Sequence, residues 1–392
     1  MQNLSEPDWR ALIRAEVNAI ETSGIVEVFD YGRNRQGLIP LWVGEGDLPT
    51  PGFIAEAAKA SIDKGETFYT YQAGVPELRA AISRYMTTHY GPGLPPERFF
   101  VTIGGMQALD LAVKMTVGPG EEALVLAPAW PNFAGALEMN GARAVFVELE
   151  AGSSWRLDPA RLEAAVTAKT RAILFNSPAN PTGYVASRAE IVAVLDFARK
   201  HGLWIIADEI YGRLVYGDAR APSFHDVMAA DDRILFVQTL SKNWAMTGWR
   251  IGWLEAPAAL GPVIENLVQY STSGVPVPVQ RAATAAIEHG ESFVADSVRR
   301  LHRCRDVMAE GLLATQRVEL AIPEGAFYLF PKILGDGDTR RLAFRLIDEA
   351  GVGAAPGYAF GPGGEGRIRL CFARAPSVVQ EATRRLAAWL SR

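Results

Sequence analysis

Residues 171–208 read RAILFNSPANPTGYVASRAEIVAVLDFARKHGLWIIAD. An apolar run, Arg171–Phe175, gives way to a turn rich in proline and glycine, then to a helical stretch, then to a second apolar run, Leu203–Ala207. Ser187 and Glu190 stand three apart at the start of the helical stretch, the spacing of a capping box. Gly202 follows Lys200 and His201 at its end, where a helix stops best on glycine. Both apolar runs are continuous rather than alternating, as strands covered on both faces require. Strand, helix, strand in this form is the repeating unit of a parallel α/β sheet.

The same rhythm extends outward. Further apolar runs fall at Phe99–Ile103, Ala123–Ala127, Ala144–Leu149, Ile234–Gln238 and Ile251–Leu254, and Asp158-Pro159 opens another helix as N-cap and first-turn proline. This predicts an α/β fold: a large domain over residues 48–290 with a mostly parallel seven-stranded sheet. From residue 291 the pattern changes. Val294, Val298, Leu301, Met308 and Leu312 share one face of a long helix. Short strands follow at Phe327–Phe330 and Arg367–Phe372, with a helix around Arg340–Ala350 between them. A smaller α+β domain over 291–392 is expected, with segment 1–47 contributing to it.

Of the 392 residues, 49% are apolar and 21% charged, values of an ordinary globular protein large enough for two coupled domains. The net charge of −5 offers nothing to nucleic acid or an anionic membrane. Cys304 and Cys371 form no disulfide framework, so a reducing compartment is expected. MQNLSEPDWRALIRAEV has no apolar core of a secretory signal, and no stretch reaches the ~20 apolar residues that span a bilayer. The expected location is the cytoplasm.

Some signals lead nowhere. Gly361-Pro-Gly363-Gly-Glu-Gly366 spells a dinucleotide fingerprint but precedes a β-type run instead of opening a helix, so it reads as a turn. The basic run Arg299, Arg300, His302, Arg303, Arg305 reads as the solvated face of the long helix in an acidic protein. The five histidines are scattered without metal-binding spacing, so no metal site is expected.

Five pieces, in order, suit one anionic aromatic cofactor. Thr102–Leu109 (TIGGMQAL) is a strand end, two glycines and a helix start, whose free N–H groups and dipole can cradle a phosphate. Asn176–Gly183 (NSPANPTG) follows a strand and presents the Asn180 amide as a donor. Asp208, in ADEIY, ends an apolar strand where α/β ligands bind. Thr239-Leu240-Ser241-Lys242 ends another, and a lysine of lowered pKa there could attack a carbonyl. Arg250, eight residues on, has the fork for a phosphate. Taken singly these read as a turn, a helix cap or an exposed lysine; their joint order at strand ends is the signal.

The stretches N-S-P-x-N-P-T-G, D-E-I-Y and S-K-x-x-A-M-T-G-W-R-I-G closely resemble those of the class I/II (fold type I) pyridoxal-phosphate aminotransferases, and the similarity runs from about Leu41 to Phe372. The resemblance implies that Lys242 carries pyridoxal 5'-phosphate as a Schiff base and shuttles the substrate proton. Asp208 would pair with the ring nitrogen, and Tyr211 and Asn180 with the ring's 3' oxygen. Trp130 would stack on the ring. The phosphate would be held by the backbone at Gly105 and Met106, by Thr239, Ser241 and Arg250, and by Tyr69 from the neighbouring subunit of a homodimer. Arg369 would clamp the α-carboxylate beside the Gly44 backbone, with Arg367 left solvated. An amino acid and a 2-oxo acid would react by turns in a ping-pong cycle.

Two departures from the family's pattern stand out. Gly46 replaces a frequent proline, which leaves its loop freer. Met106 stands where some aspartate-selective relatives carry lysine, and Ser271–Val279 holds no charge, so a neutral or aromatic donor is expected. The shared motifs also suit a carbon–sulfur β-lyase. A non-catalytic ligand-sensing domain is disfavoured, because the region before Leu41 is too short for a winged helix.

Overall fold

A computed structural model of the protein describes residues 8–18, 20 and 22–392. The first seven residues of the N-terminal segment, and positions 19 and 21, lie outside the described residues.

Seven strands form the main sheet: β1 (Phe99–Thr102), β2 (Glu122–Ala127), β3 (Arg143–Glu148), β4 (Thr170–Asn176), β5 (Trp204–Asp208), β6 (Ile234–Thr239) and β7 (Gly252–Glu255). Their order is β1-β7-β6-β5-β4-β2-β3. Only β7 runs antiparallel to its neighbours. Each expected apolar run became a strand, with ends shifted by a residue or two. The continuous patterning has its physical reason here. Ala172, Leu174 and Ile206 pack with Leu109 and Val113 of the helix Gly104–Thr116 on one face. Ile173, Phe175 and Ile205 pack with Ile191, Val194 and Phe197 of the helix Arg188–His201 on the other. That second helix carries the Ser187–Glu190 capping box, and Gly202 ends it at φ +66°.

In the C-terminal part, β8 (Tyr328–Leu329) and β9 (Ala355–Pro356) flank β10 (Ile368–Cys371), both antiparallel to it. The two-residue strand Ile39–Pro40 pairs in parallel with Val352–Gly353. The long helix spans Glu291–Leu313 and buries Val294, Leu301, Met308 and Leu312, with Val298 half-buried. The helix expected around Arg340–Ala350 is α-helical only over Thr339–Arg345 and continues as a π-type turn over Leu346–Ala350.

Three readings need correction. The basic run is not wholly a solvated face: Arg300 binds both oxygens of Asp47 at 2.7 and 2.8 Å, and Arg305 lies over the Tyr216 ring. Arg367 is not simply solvated: its guanidinium sits 4.8 Å from the centre of the Trp155 ring. The loop at Gly46 is tied on both sides, by Arg300–Asp47 and by Thr247 and Arg374, which donate to Glu45. Among the described residues no helix is long and apolar enough to cross a membrane.

Candidate active site

The strand register puts Asn176 beside Asp208 at the C-terminal edge of the sheet, the edge where open α/β sheets bind ligands. A cavity of about 300 Å3 opens there. Asn176 and Asp208 enter it from strand ends, Asn180, Tyr211 and Lys242 from the segments that follow β4, β5 and β6, Trp130 from the segment after β2, and Tyr328 and Arg369 from the C-terminal part. Trp42, Gly44, Ile25 and Val26 close it from the N-terminal segment. Residues from nearly the whole length of the chain thus share one wall.

Lys242 follows β6, and its Nζ donates to the Gly44 carbonyl at 2.7 Å. Burial, with the Arg369 cation also opposing its charge, lowers its pKa to about 8. Such an amine is a usable nucleophile and base near neutrality. Asp208 is buried, and its Oδ1 accepts only a long 3.3 Å bond from the Ile210 N–H. Burial raises its pKa to about 7. Among the described residues it forms no ion pair, although the Lys242 charge acts on it through space, so the carboxylate is poorly satisfied.

Tyr211 shares a 2.7 Å hydrogen bond with the Tyr328 hydroxyl. Tyr328 also explains Gly44, because a Cβ there would run into its hydroxyl. Arg369 donates to Asn180 Oδ1 at 2.9 Å and to the Trp42 carbonyl. Its guanidinium lies 4.7 Å from the Tyr328 ring centre, and its buried Nε has no hydrogen-bond partner among the described residues. A buried orphan donor in a cavity calls for an anionic acceptor.

The expected phosphate cradle is assembled at the start of the helix Gly104–Thr116. Gly104 has φ +69°, and a Cβ on it would lie 2.7 Å from Arg250 Nη2. A Cβ on Gly105 would touch Thr239, whose hydroxyl lies 2.9 Å from Ser241 Oγ. Met106 Sδ accepts from Asn132, which lines the cavity. The helix start therefore offers open N–H groups beside two hydroxyls and a guanidinium, with space that any side chain would fill. Tyr69 is the exception. It is 94% exposed and lies in a surface cleft with Phe68, Thr272 and Pro276, apart from the others.

Asn176 stood in the NSPANPTG stretch without a role of its own, and sequence reasoning missed Tyr328, Trp42, Asn132 and the wall from Ile25 and Val26 altogether. Their meeting depends on packing between distant segments, for which no local spacing gives a sign.

Residues 37–386 match the profile of aminotransferase class I and II. The chain belongs to this family. An aromatic-amino-acid aminotransferase 2 of Thermococcus litoralis is 34% identical over 94% of this aminotransferase and 95% of its own length. An aspartate aminotransferase of Pyrococcus abyssi is 33% identical over 94% and 96%. A solved structure of a Thermus thermophilus aspartate aminotransferase single mutant superimposes with a TM-score of 0.90, at 33% identity over 96% of this chain and 99% of that one. The aminotransferase is thus a pyridoxal 5'-phosphate-dependent enzyme of fold type I, and its substrates are amino acids and 2-oxo acids. The orphan Arg369 Nε, the poorly satisfied Asp208 carboxylate and the glycine cradle all fit that cofactor and its substrate.

Proposed function

We propose that this aminotransferase takes its amino group from a neutral or aromatic L-amino acid and passes it to a 2-oxo acid in a ping-pong cycle. The observation that carries the reading is the cation content of the cavity. Lys242 and Arg369 are its only lysine or arginine lining among the described residues, and the rest of the wall includes Trp130, Tyr328, Ile25 and Val26. One guanidinium serves one α-carboxylate, and a second carboxylate would be buried unpaired.

In this reading Arg369 binds the α-carboxylate of each substrate, with the Gly44 backbone beside it. Pyridoxal 5'-phosphate, when bound, supplies the electron sink for the pair left on the α-carbon. Asp208 would keep a proton on the ring nitrogen, Tyr211 and Asn180 would hold the 3' oxygen, and Trp130 would cover the ring face. Gly105, Met106, Thr239, Ser241 and Arg250 would bind the phosphate. Lys242 would anchor the cofactor and, as a free amine, its Nζ would take the proton from the donor's α-carbon in one half-cycle and give a proton to the acceptor's α-carbon in the other. The exposed Phe68, Tyr69, Tyr71 and Tyr270 support a homodimer in which Tyr69 reaches the neighbouring site. The two free buried thiols suit a cytoplasmic location.

The test is kcat/KM for aspartate against phenylalanine, leucine and alanine with one common acceptor. A preference for the neutral or aromatic donors is expected; a strong preference for aspartate would overturn the assignment.

A further inference from the structure

A second set of ionisable groups lies behind Asp208 and has no part in the cavity. Glu209, the next residue, is buried, and its carboxylate lies 2.9 and 2.7 Å from Ser223 Oγ. Ser223 Oγ is 2.9 Å from His225 Nδ1. On the other side of the ring, His225 Nε2 is 3.0 Å from Glu255 Oε2, and Arg98 donates to Glu255 Oε1 at 3.0 Å. The imidazole stacks on Phe236 at 3.9 Å and tilts against Tyr90 at 4.9 Å. Beyond Tyr90 stands Arg220, paired with Asp226. Ser223 is 1% exposed, so no substrate reaches its hydroxyl as it would a nucleophile.

Counting protons restricts this chain to two forms. Nε2 faces a carboxylate already bound by Arg98, so it carries hydrogen. Ser223 has a single hydroxyl hydrogen. If it donates to an ionised Glu209, Nδ1 must donate to Ser223, and His225 is an imidazolium. If Glu209 is a neutral acid donating to Ser223, the hydroxyl turns to a bare Nδ1, and His225 is neutral. The forms interconvert when Glu209 gives a proton to Ser223 Oγ while Ser223 gives its own to Nδ1. Charge is conserved and no redox change occurs. Burial raises the Glu209 pKa to about 7, while at His225 the opposing effect of burial is outweighed by Glu255 and Glu209. Neither form is therefore strongly excluded near neutrality.

We infer that Glu209, Ser223 and His225 form a one-proton relay that sets the charge behind Asp208, which makes His225 a positioning residue for transamination. The inference rests on Asp208 as the partner of the ring nitrogen. An ionised Glu209 adds negative charge beside Asp208 and favours a proton on whatever Asp208 faces. A neutral Glu209 withdraws that support.

The experiment uses the full chain labelled with 15N-histidine, free of cofactor, with His225→Gln identifying the resonances. At pH 8, Nε2 should be protonated and Nδ1 intermediate between bare and protonated. Asp208→Asn removes the like charge beside Glu209, so Nδ1 should move toward protonated. An Nδ1 that stays at one limit in both proteins would overturn the relay. In the holoenzyme, Ser223→Ala should move the pH midpoint of the cofactor's visible band by ~0.5 pH units or more and lower kcat with little change in donor KM. Thermal melting serves as the folding control. A normal band with an unmoved midpoint in Ser223→Ala overturns the relay alone. A band whose titration is untouched by Asp208→Asn overturns the role given to Asp208.

Discussion

Arg369 and Asn180 stand 189 positions apart in the chain and meet at 2.9 Å in the cavity, where Asn180 Oδ1 accepts from the guanidinium. The contact turns the fork so that its orphan Nε stays buried without a partner. Replacing Arg369 by glutamine should lower kcat/KM about 100-fold or more for donor and acceptor alike, the scale of losing one side of a buried charge pair. Asn180→Ala should lose less, about tenfold, because the guanidinium remains while its orientation loosens. Steady-state kinetics with both substrates check this. Equal kcat/KM in wild type and Arg369→Gln would remove the arginine from the site.

The Lys242 amine, at about 8, differs from an ordinary lysine near 10.5. A base with a lowered value is neutral above it, and only the neutral amine attacks an aldehyde. Uptake of pyridoxal phosphate by the cofactor-free enzyme should speed up as pH rises and level off above about 8. Stopped-flow absorbance would show it. A rate still climbing steeply toward pH 10 would mean that the amine is not perturbed.

Asp208 makes an opposite prediction for stability. Its carboxyl titrates near 7 when folded but near 3.8 in an ordinary setting. The folded state therefore holds the proton more tightly than the unfolded one. The penalty is absent below the unfolded value, grows between the two, and is complete above about 7. Asp208→Asn should stabilise the cofactor-free protein at pH 8 by up to about 4 kcal/mol and hardly at all at pH 4. Activity should collapse at the same time. Denaturant melts at the two pH values separate these outcomes.

Gly104 tests the cradle. At φ +69° with Arg250 Nη2 only 2.7 Å from where a Cβ would sit, Gly104→Ala must push the guanidinium away or strain the turn. Cofactor affinity should fall by about tenfold or more, since a charge-assisted contact to phosphate is lost. Fluorescence titration of the cofactor-free protein measures it. Unchanged affinity would mean that Arg250 does not face the phosphate.

The seven strands were legible because burial on both faces leaves runs such as Arg171–Phe175 without polar interruption, and the capping pair Ser187–Glu190 marks a helix start chemically. Lys242, Asp208 and Asn180 were legible through fixed spacing from strand ends. Tyr328 was not. In the sequence it is one aromatic among apolar neighbours, and its hydroxyl matters only because β8 comes to rest against Tyr211. Arg300 and Arg367 misled for a related reason. A cation in a polar stretch looks solvated until a partner from afar, Asp47 or Trp155, is folded onto it. Local chemistry is written locally, whereas contacts between distant segments belong to the packing.

Trp42 and Arg369 share a hydrogen bond although 327 positions separate them. During synthesis on a ribosome, the Trp42 segment must therefore wait for a guanidinium added 327 residues later. A product that stopped short of β10 would carry Lys242 but lack Arg369, and in the proposed reading would have no grip on an amino acid's carboxylate. In the proposed reading the docking of β10 thus acts as a licence: the Lys242 amine gains a substrate only after that strand is in place.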